Sequence, residues 1–156
     1  MKLSLLSKVG AVTHVTCIER QVSALPREAP YGQLTQSGLR ALEGLCRVLE
    51  ARPVSVMARC TASSSEVFVH LSNGAQMQYY GAVGAAADER SLWIEGPQGS
   101  LRSAGAFTWW RKRGWPKFLP WRFSSSWAGH SEAAEGPLLD AIRRSNEQST
   151  MVALNG

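Results

Sequence analysis

The chain has 156 residues, of which 44% are hydrophobic and 19% charged, and its formal net charge is +5. That length suits one domain with one core, and the composition excludes a disordered or fibrous protein. The basic excess is local, because five of the 17 Lys and Arg (Arg111, Lys112, Arg113, Lys117, Arg122) stand between Trp109 and Trp127 with no acid among them, while the others match the 12 Asp and Glu. The global basicity of a nucleic-acid-coating protein is therefore excluded.

The opening "MKLSLLSKVG" holds an apolar stretch far shorter than a signal segment, and no run of apolar residues is long enough to span a membrane. Cys17, Cys46 and Cys60 are scattered, with no C-x-x-C pair and no His at ligand spacing, so neither a disulfide framework nor a zinc site is indicated. The expected compartment is the cytoplasm.

"AVTHVTCIERQV" (Ala11 to Val22) is rich in β-branched residues and reads as a first strand, followed by a Pro- and Gly-containing connection, "SALPREAPYG". From Leu34 to Glu50, Leu39, Leu42, Leu45, Cys46 and Leu49 recur at three- and four-residue spacing on one helical face, and Pro53 ends the helix. Val54, Val56, Ala58 and Cys60 then alternate with Ser55, Met57, Arg59 and Thr61 in a strand with one buried side. "EVFVHL" and "QMQYYGAV" flank "SNGA", a hairpin signal, and "SLWIEG" and "SLRSAGAFTWWRKR" bracket "PQG" in a second. A Trp- and Pro-broken stretch leads to a helix over "SEAAEGPLLDAIRRSNE", with Ser131 as N-cap and Glu132 and Glu135 near its positive end.

Strand, helix, about five hairpin-connected strands, then helix is an α+β order. It predicts an open, largely antiparallel β-sheet with helices on one face. Met77 and Tyr79 point to one side of their strand and Gln78 and Tyr80 to the other, so apolar or aromatic groups lie on both sheet faces, while the helices suffice for one.

His14, His70 and His130 are far apart, and Ser63 to Ser65 and Ser124 to Ser126 lack a G-x-S-x-G context, so neither a metal site nor a serine hydrolase is supported. "WWRKRGWPKFLPWRFSSSW" carries five of the six tryptophans among its bases. Such interleaving can stack on nucleobases, on the apolar faces of sugar rings, or over a core at a sheet edge. An edge strand with a loop beside a ligand cleft is the favoured reading, and nucleic acid the disfavoured one.

"SKVGAVTHVTC", "GLRALEGLCRVLEARPVSVMAR", "VFVHLSNGAQMQYYGAV", "LWIEGPQGSLR" and "GPLLDAIRRSNE" follow one another along most of the chain. In this order they resemble the C-terminal domain of the Gfo/Idh/MocA family of NAD(P)-dependent sugar and cyclitol oxidoreductases. The resemblance implies one domain over residues 1–156, ending before that domain's last helix and without the family's N-terminal Rossmann domain. It also implies a G-x-H-x-x-D helix motif, whose His and Asp face the sugar hydroxyl. Gly38, Arg40 and Glu43 stand at those positions here, and a guanidinium stays protonated at physiological pH and cannot serve as a general base. "GPQGS" lies between strands, so it cannot cradle a pyrophosphate on a helix N-terminus.

The implied function is a substrate-binding and oligomerisation domain, not catalytic by itself. It would bind no cofactor alone, and meet NAD(P) through a Rossmann-domain subunit. It would form a homodimer through the open sheet face, and the ligand expected is small and sugar-like or anionic. Substrate-binding candidates are Arg40, Glu43, Arg111, Arg113, Trp115 and Lys117. The alternative is a non-catalytic module that holds an anionic ligand or nucleic acid through residues 109–127. A plainer reading also stands, since Arg40, Glu43 and Arg47 at three- and four-residue spacing are what a solvated ion-pair face of a helix looks like.

Overall fold

A computed structural model describes residues 6–22, 38–104, 107–117, 119–122 and 136–154. Among them are nine strands, β1 (His14–Gln21), β2 (Pro53–Cys60), β3 (Ser64–Leu71), β4 (Gln76–Val83), β5 (Glu89–Gly96), β6 (Gly99–Ala104), β7 (Phe107–Lys112), β8 (Leu119–Arg122) and β9 (Val152–Ala153). Two helices accompany them, α1 (Leu39–Val48) and α2 (Pro137–Gln148). The strands form one sheet in the order β8-β7-β6-β5-β1-β4-β3-β2-β9. Every neighbouring pair is antiparallel except β1 and β4, which run parallel. The α+β class and the largely antiparallel sheet expected from the sequence are what the structure has.

Two meanders, β2–β3–β4 and β5–β6–β7–β8, follow from short connections that favour antiparallel neighbours. The Asn-Gly signal marks the β3–β4 hairpin. Its loop is Ser72 to Ala75, with the Gly74 amide donating to the Leu71 carbonyl and the Leu71 amide to that of Ala75, both at 2.9 Å. The stretch expected to run unbroken from Ser100 to Arg113 is two strands, β6 and β7. Leu119–Arg122, within the Trp- and Pro-broken stretch, adds the edge strand β8.

Alternation along the strands sorts their side chains. Val15, Cys17 and Glu19 of β1, Val56 and Ala58 of β2, Val67 and Val69 of β3, Met77 and Tyr79 of β4, Leu92 and Ile94 of β5 and Leu101 of β6 are all buried. Register aligns them across the sheet, Cys17 lying opposite both Tyr79 and Leu92. α1 adds Leu39, Ala41, Leu42, Leu45 and Cys46 to the same core, and α2 adds Leu138, Leu139, Ala141 and Ile142. The helical stripe read from the sequence is thus the buried face of α1. Each such aliphatic side chain contributes about 1.5–3 kcal/mol by leaving water.

α1 stops before Pro53 comes into play. The Ala51 amide donates to the Cys46 carbonyl at 3.0 Å and the Glu50 amide to that of Arg47 at 3.2 Å, with Glu50 left-handed at φ +50°. These bonds satisfy the last carbonyls of the helix in the Schellman manner. α2 begins later than Ser131, Glu132 and Glu135 suggested, and these three lie outside the described residues. Gly136 is its N-cap in extended conformation, Pro137 occupies the first turn, where a missing amide costs nothing, and Asp140 is the first-turn acid.

β2 has β9 as partner only at Ser55 and Val56. Beyond them the amides of Ala58 and Cys60 donate to Oγ of Ser145 (2.9 Å) and Oδ1 of Asn146 (2.6 Å) on α2. Helix side chains thus take the place of a further strand.

Gly38, at the start of α1, lies against the Tyr79 ring, and a Cβ there would stand 2.7 Å from the ring carbon Cζ. Its φ of −62° is ordinary helix, so only space selects glycine. Gly38→Ala should gain helix propensity yet lose about 1–3 kcal/mol net through forced displacement of a fully buried ring. Chemical denaturation would read this as a lower midpoint, and an unchanged or higher midpoint would show that Tyr79 yields freely.

Candidate functional site

The six residues singled out in the sequence fall on two sides of the sheet. Arg40 and Glu43 are on α1, Arg40 exposed and Glu43 half-buried. Glu43 and Arg47 line a hollow of about 500 Å³ between α1 and α2, whose walls include Cys46, Leu138 and Leu154. Arg40 does not reach it.

Arg111 is on β7 opposite Ser100, one residue from the core pair Leu101 and Trp110. Alternation therefore directs Arg111 to the face away from the helices. Arg113 and Trp115 follow in a tight turn, in which the Trp115 amide donates to the Lys112 carbonyl at 3.1 Å. Gly114 sits at the third position with φ +81°, the left-handed geometry that a type II turn assigns to glycine. The Arg113 amide donates to the Gln98 carbonyl at 3.0 Å, and the Gln98 amide to that of Val9 at 3.0 Å, which ties the turn to the β5–β6 connection and the N-terminal segment. Lys117 is exposed just beyond.

Arg111, Arg113 and Trp115 share a second hollow, of about 560 Å³, with Thr13, Glu95 and Ser100. Lys117 is outside its wall, and Arg40 and Glu43 are across the sheet. The structure thus joins three of the six candidates and separates them from the α1 stripe. The side chains of Trp121 and Arg122 and residues 123–127, also part of the basic and aromatic stretch, lie outside what the structure describes.

One cluster on the core side escaped the sequence reading. Glu19 is 4% exposed. Its Oε1 lies 2.9 Å from Nε of Arg90, and its Oε2 accepts from the Tyr79 hydroxyl at 3.1 Å. Arg20 and Glu89, the next cross-strand pair, meet at 3.2 Å on the opposite sheet face. The signal was present, since strict alternation from Val15 through Cys17 carries Glu19 inward.

The thiols are unsuited to nucleophilic work at neutral pH. Burial, and after it the Glu19 carboxylate, pushes Cys17 far up, while burial and then Glu43 push Cys46 up to about 11. Burial also raises Cys60, partly opposed by a hydrogen bond with Ser65. A thiol held protonated is neither nucleophile nor metal ligand. His14 and His70 stand on the open face, each opposite Gln76 of β4, and His130 lies outside the described residues. No cluster of three or more metal-ligating side chains forms among the described residues, and no helix among them is long and apolar enough to cross a membrane.

If Arg40 is only part of a solvated helix face, Arg40→Ala should change unfolding free energy by no more than about 0.5 kcal/mol. A larger loss in urea denaturation would assign this exposed side chain a structural contact.

No family model and no curated protein matches the sequence. Solved structures do match the fold. The chain is similar to an oxidoreductase domain protein from Kribbella flavida (13% identity, TM-score 0.73, 99% of this chain and 62% of that one). It is similar also to the aldose-aldose oxidoreductase from Caulobacter crescentus, solved with glycerol (15%, 0.74, 97% and 59%). A third is an oxidoreductase from Agrobacterium radiobacter in complex with NAD+, L-tartaric acid and magnesium (14%, 0.73, 97% and 59%). The chain spans about three fifths of the length of these relatives. At such identities the likeness is one of fold, and the fold is that of part of an oxidoreductase chain.

Proposed function

We propose that the chain is the substrate-side and assembly domain of a Gfo/Idh/MocA-type oxidoreductase, not catalytic by itself, which meets NAD(P) only through a Rossmann domain. The observation that carries this reading is the fold match, which covers nearly all of this chain but about three fifths of each oxidoreductase. The colinear resemblance of the five sequence stretches supports it.

The described residues do not fit a nicotinamide dinucleotide. Binding its pyrophosphate calls for a glycine-rich turn opening onto a helix N-terminus. Here "GPQGS" joins strand β5 to strand β6 and opens no helix. Arg40, where the family motif has its His, offers no base for a sugar hydroxyl. No catalytic step is assigned to this chain.

Assembly belongs to the same reading. The sheet face away from the helices carries a row in register, Met57, Phe68, Gln78, Thr16, Trp93 and Arg102. Met57 and Phe68 within it are 45% and 40% exposed. A second copy meeting this face about a twofold axis would cover the row with itself, forming an isologous homodimer.

The test is calorimetric titration of the 156-residue chain with NADH and NADPH. The expected result is no heat of binding stronger than a Kd of about 1 mM. Micromolar affinity for either nucleotide would overturn the reading.

A further inference from the structure

We propose that the hollow beside the β7–β8 turn is a binding site for a small hydroxylated carboxylate of the sugar-acid class, held by Arg111 and Arg113 and stacked against Trp115. It goes beyond the domain reading, because it lies on the sheet face opposite α1 and needs neither a Rossmann partner nor a nucleotide.

Size comes first. A hollow of about 560 Å³ is within the range that small-molecule sites occupy and suits a ligand of monosaccharide dimensions. Its chemistry is mixed in a telling way. The exposed Arg113 guanidinium offers a bidentate fork for a carboxylate, Arg111 beside it adds positive charge, and the Glu95 carboxylate in the same wall offers acceptors for hydroxyl donors. A ligand with one carboxylate and several hydroxyls satisfies both. A phosphate dianion or a polyanionic nucleic-acid strand gains from the guanidiniums but is repelled by Glu95.

Ser100 adds a neutral polar group to the wall. It is 5% exposed and lines the hollow, where its hydroxyl can donate to a ligand carboxylate or accept from a ligand hydroxyl. Thr13 stands beside it, with Oγ1 donating to the Glu95 carbonyl at 3.2 Å.

The wall is also set in advance. The turn that bears Arg113 and Trp115 is closed by its own backbone bond and tied to Gln98, so little ordering cost remains for binding to meet. Trp115 is 50% exposed. Its indole is not spent on the core, and a flat apolar ring at the rim of a polar hollow suits the apolar face of a sugar ring.

The experiment titrates the full chain with sodium D-glucuronate, D-glucose and inorganic phosphate, following the Trp115 indole N–H resonance by NMR and the heat by calorimetry. Arg113→Gln and Trp115→Ala are the site variants; both residues are exposed in a surface turn, so replacement should leave the fold intact, which circular dichroism checks. Arg144→Gln on α2 is the control. Glucuronate should saturate with a Kd of about 1 mM or tighter, weakened about tenfold or more in each site variant and unchanged in the control. Glucose, lacking the carboxylate, and phosphate, lacking the ring and hydroxyls, should each bind about tenfold more weakly or worse. No saturable shift by about 20 mM glucuronate, or equal affinity in the site variants, would overturn the site. Phosphate binding as tightly as glucuronate would overturn the ligand class. None of these outcomes depends on the nucleotide titration, so the two readings fail separately.

Discussion

Arg90→Met is expected to lower the unfolding free energy by about 3 kcal/mol, because it withdraws the charged partner of a buried carboxylate. Glu19 is 4% exposed, and Nε of Arg90 stands 2.9 Å from its Oε1. The Tyr79 hydroxyl at 3.1 Å donates to the same carboxylate but carries no charge to offset it. The double replacement Glu19→Leu with Arg90→Met should recover most of the loss. It leaves about 1 kcal/mol for the Tyr79 hydroxyl deprived of its acceptor. Urea unfolding of wild type, both single variants and the double variant forms the cycle. If the double variant is no more stable than Arg90→Met, the carboxylate is not the source of the cost.

The second large effect concerns assembly. Met57 and Phe68 are opposite each other on β2 and β3, on the face away from the helices, and both are substantially exposed. Met57→Glu with Phe68→Glu would bring four new carboxylates into a twofold interface formed by this face. The proposed dimer should then weaken about 100-fold or more, since like charges buried together cost several kcal/mol. Stability of the single chain should change little, because neither side chain belongs to its core. Light scattering at tens of micromolar, an order set by the usual range of such interfaces, should give a dimeric mass for wild type and a monomeric one for the variant. A monomeric wild type would remove the dimer from the functional reading.

Much of the fold was legible because its signals are local. The α1 stripe Leu39, Leu42, Leu45, Cys46 and Leu49 is written in helical spacing, and the β3–β4 hairpin in Asn73-Gly74 between two alternating runs. The place of β1 was not legible, since pairing with β4 on one side and β5 on the other leaves no trace in the ten residues around it. β9 is two residues long and defined only by its contact with β2, which no periodicity could reveal. The start of α2 was marked by Gly136-Pro137, a stronger start signal than Ser131. At the hollow, the chemistry of Arg111, Arg113 and Trp115 was readable, but not their company. Thr13, Glu95 and Ser100 come from other segments and join them only through register, which also sets Arg40 and Glu43 on the far side.

The position of β1 has a consequence during synthesis. It is the seam between the two meanders, yet it leaves the ribosome before either neighbour exists. Its neighbours begin at Gln76 and Glu89, so Val15, Cys17 and Ile18 stay without strand partners while β2 and β3 are made. Each meander can close on its own through short connections, but they become one sheet only when this early strand inserts between them, a long-range closure that local pairing does not hasten. For that interval the nascent chain carries an open strand, and the step that unites the sheet waits on a strand made before both of its neighbours.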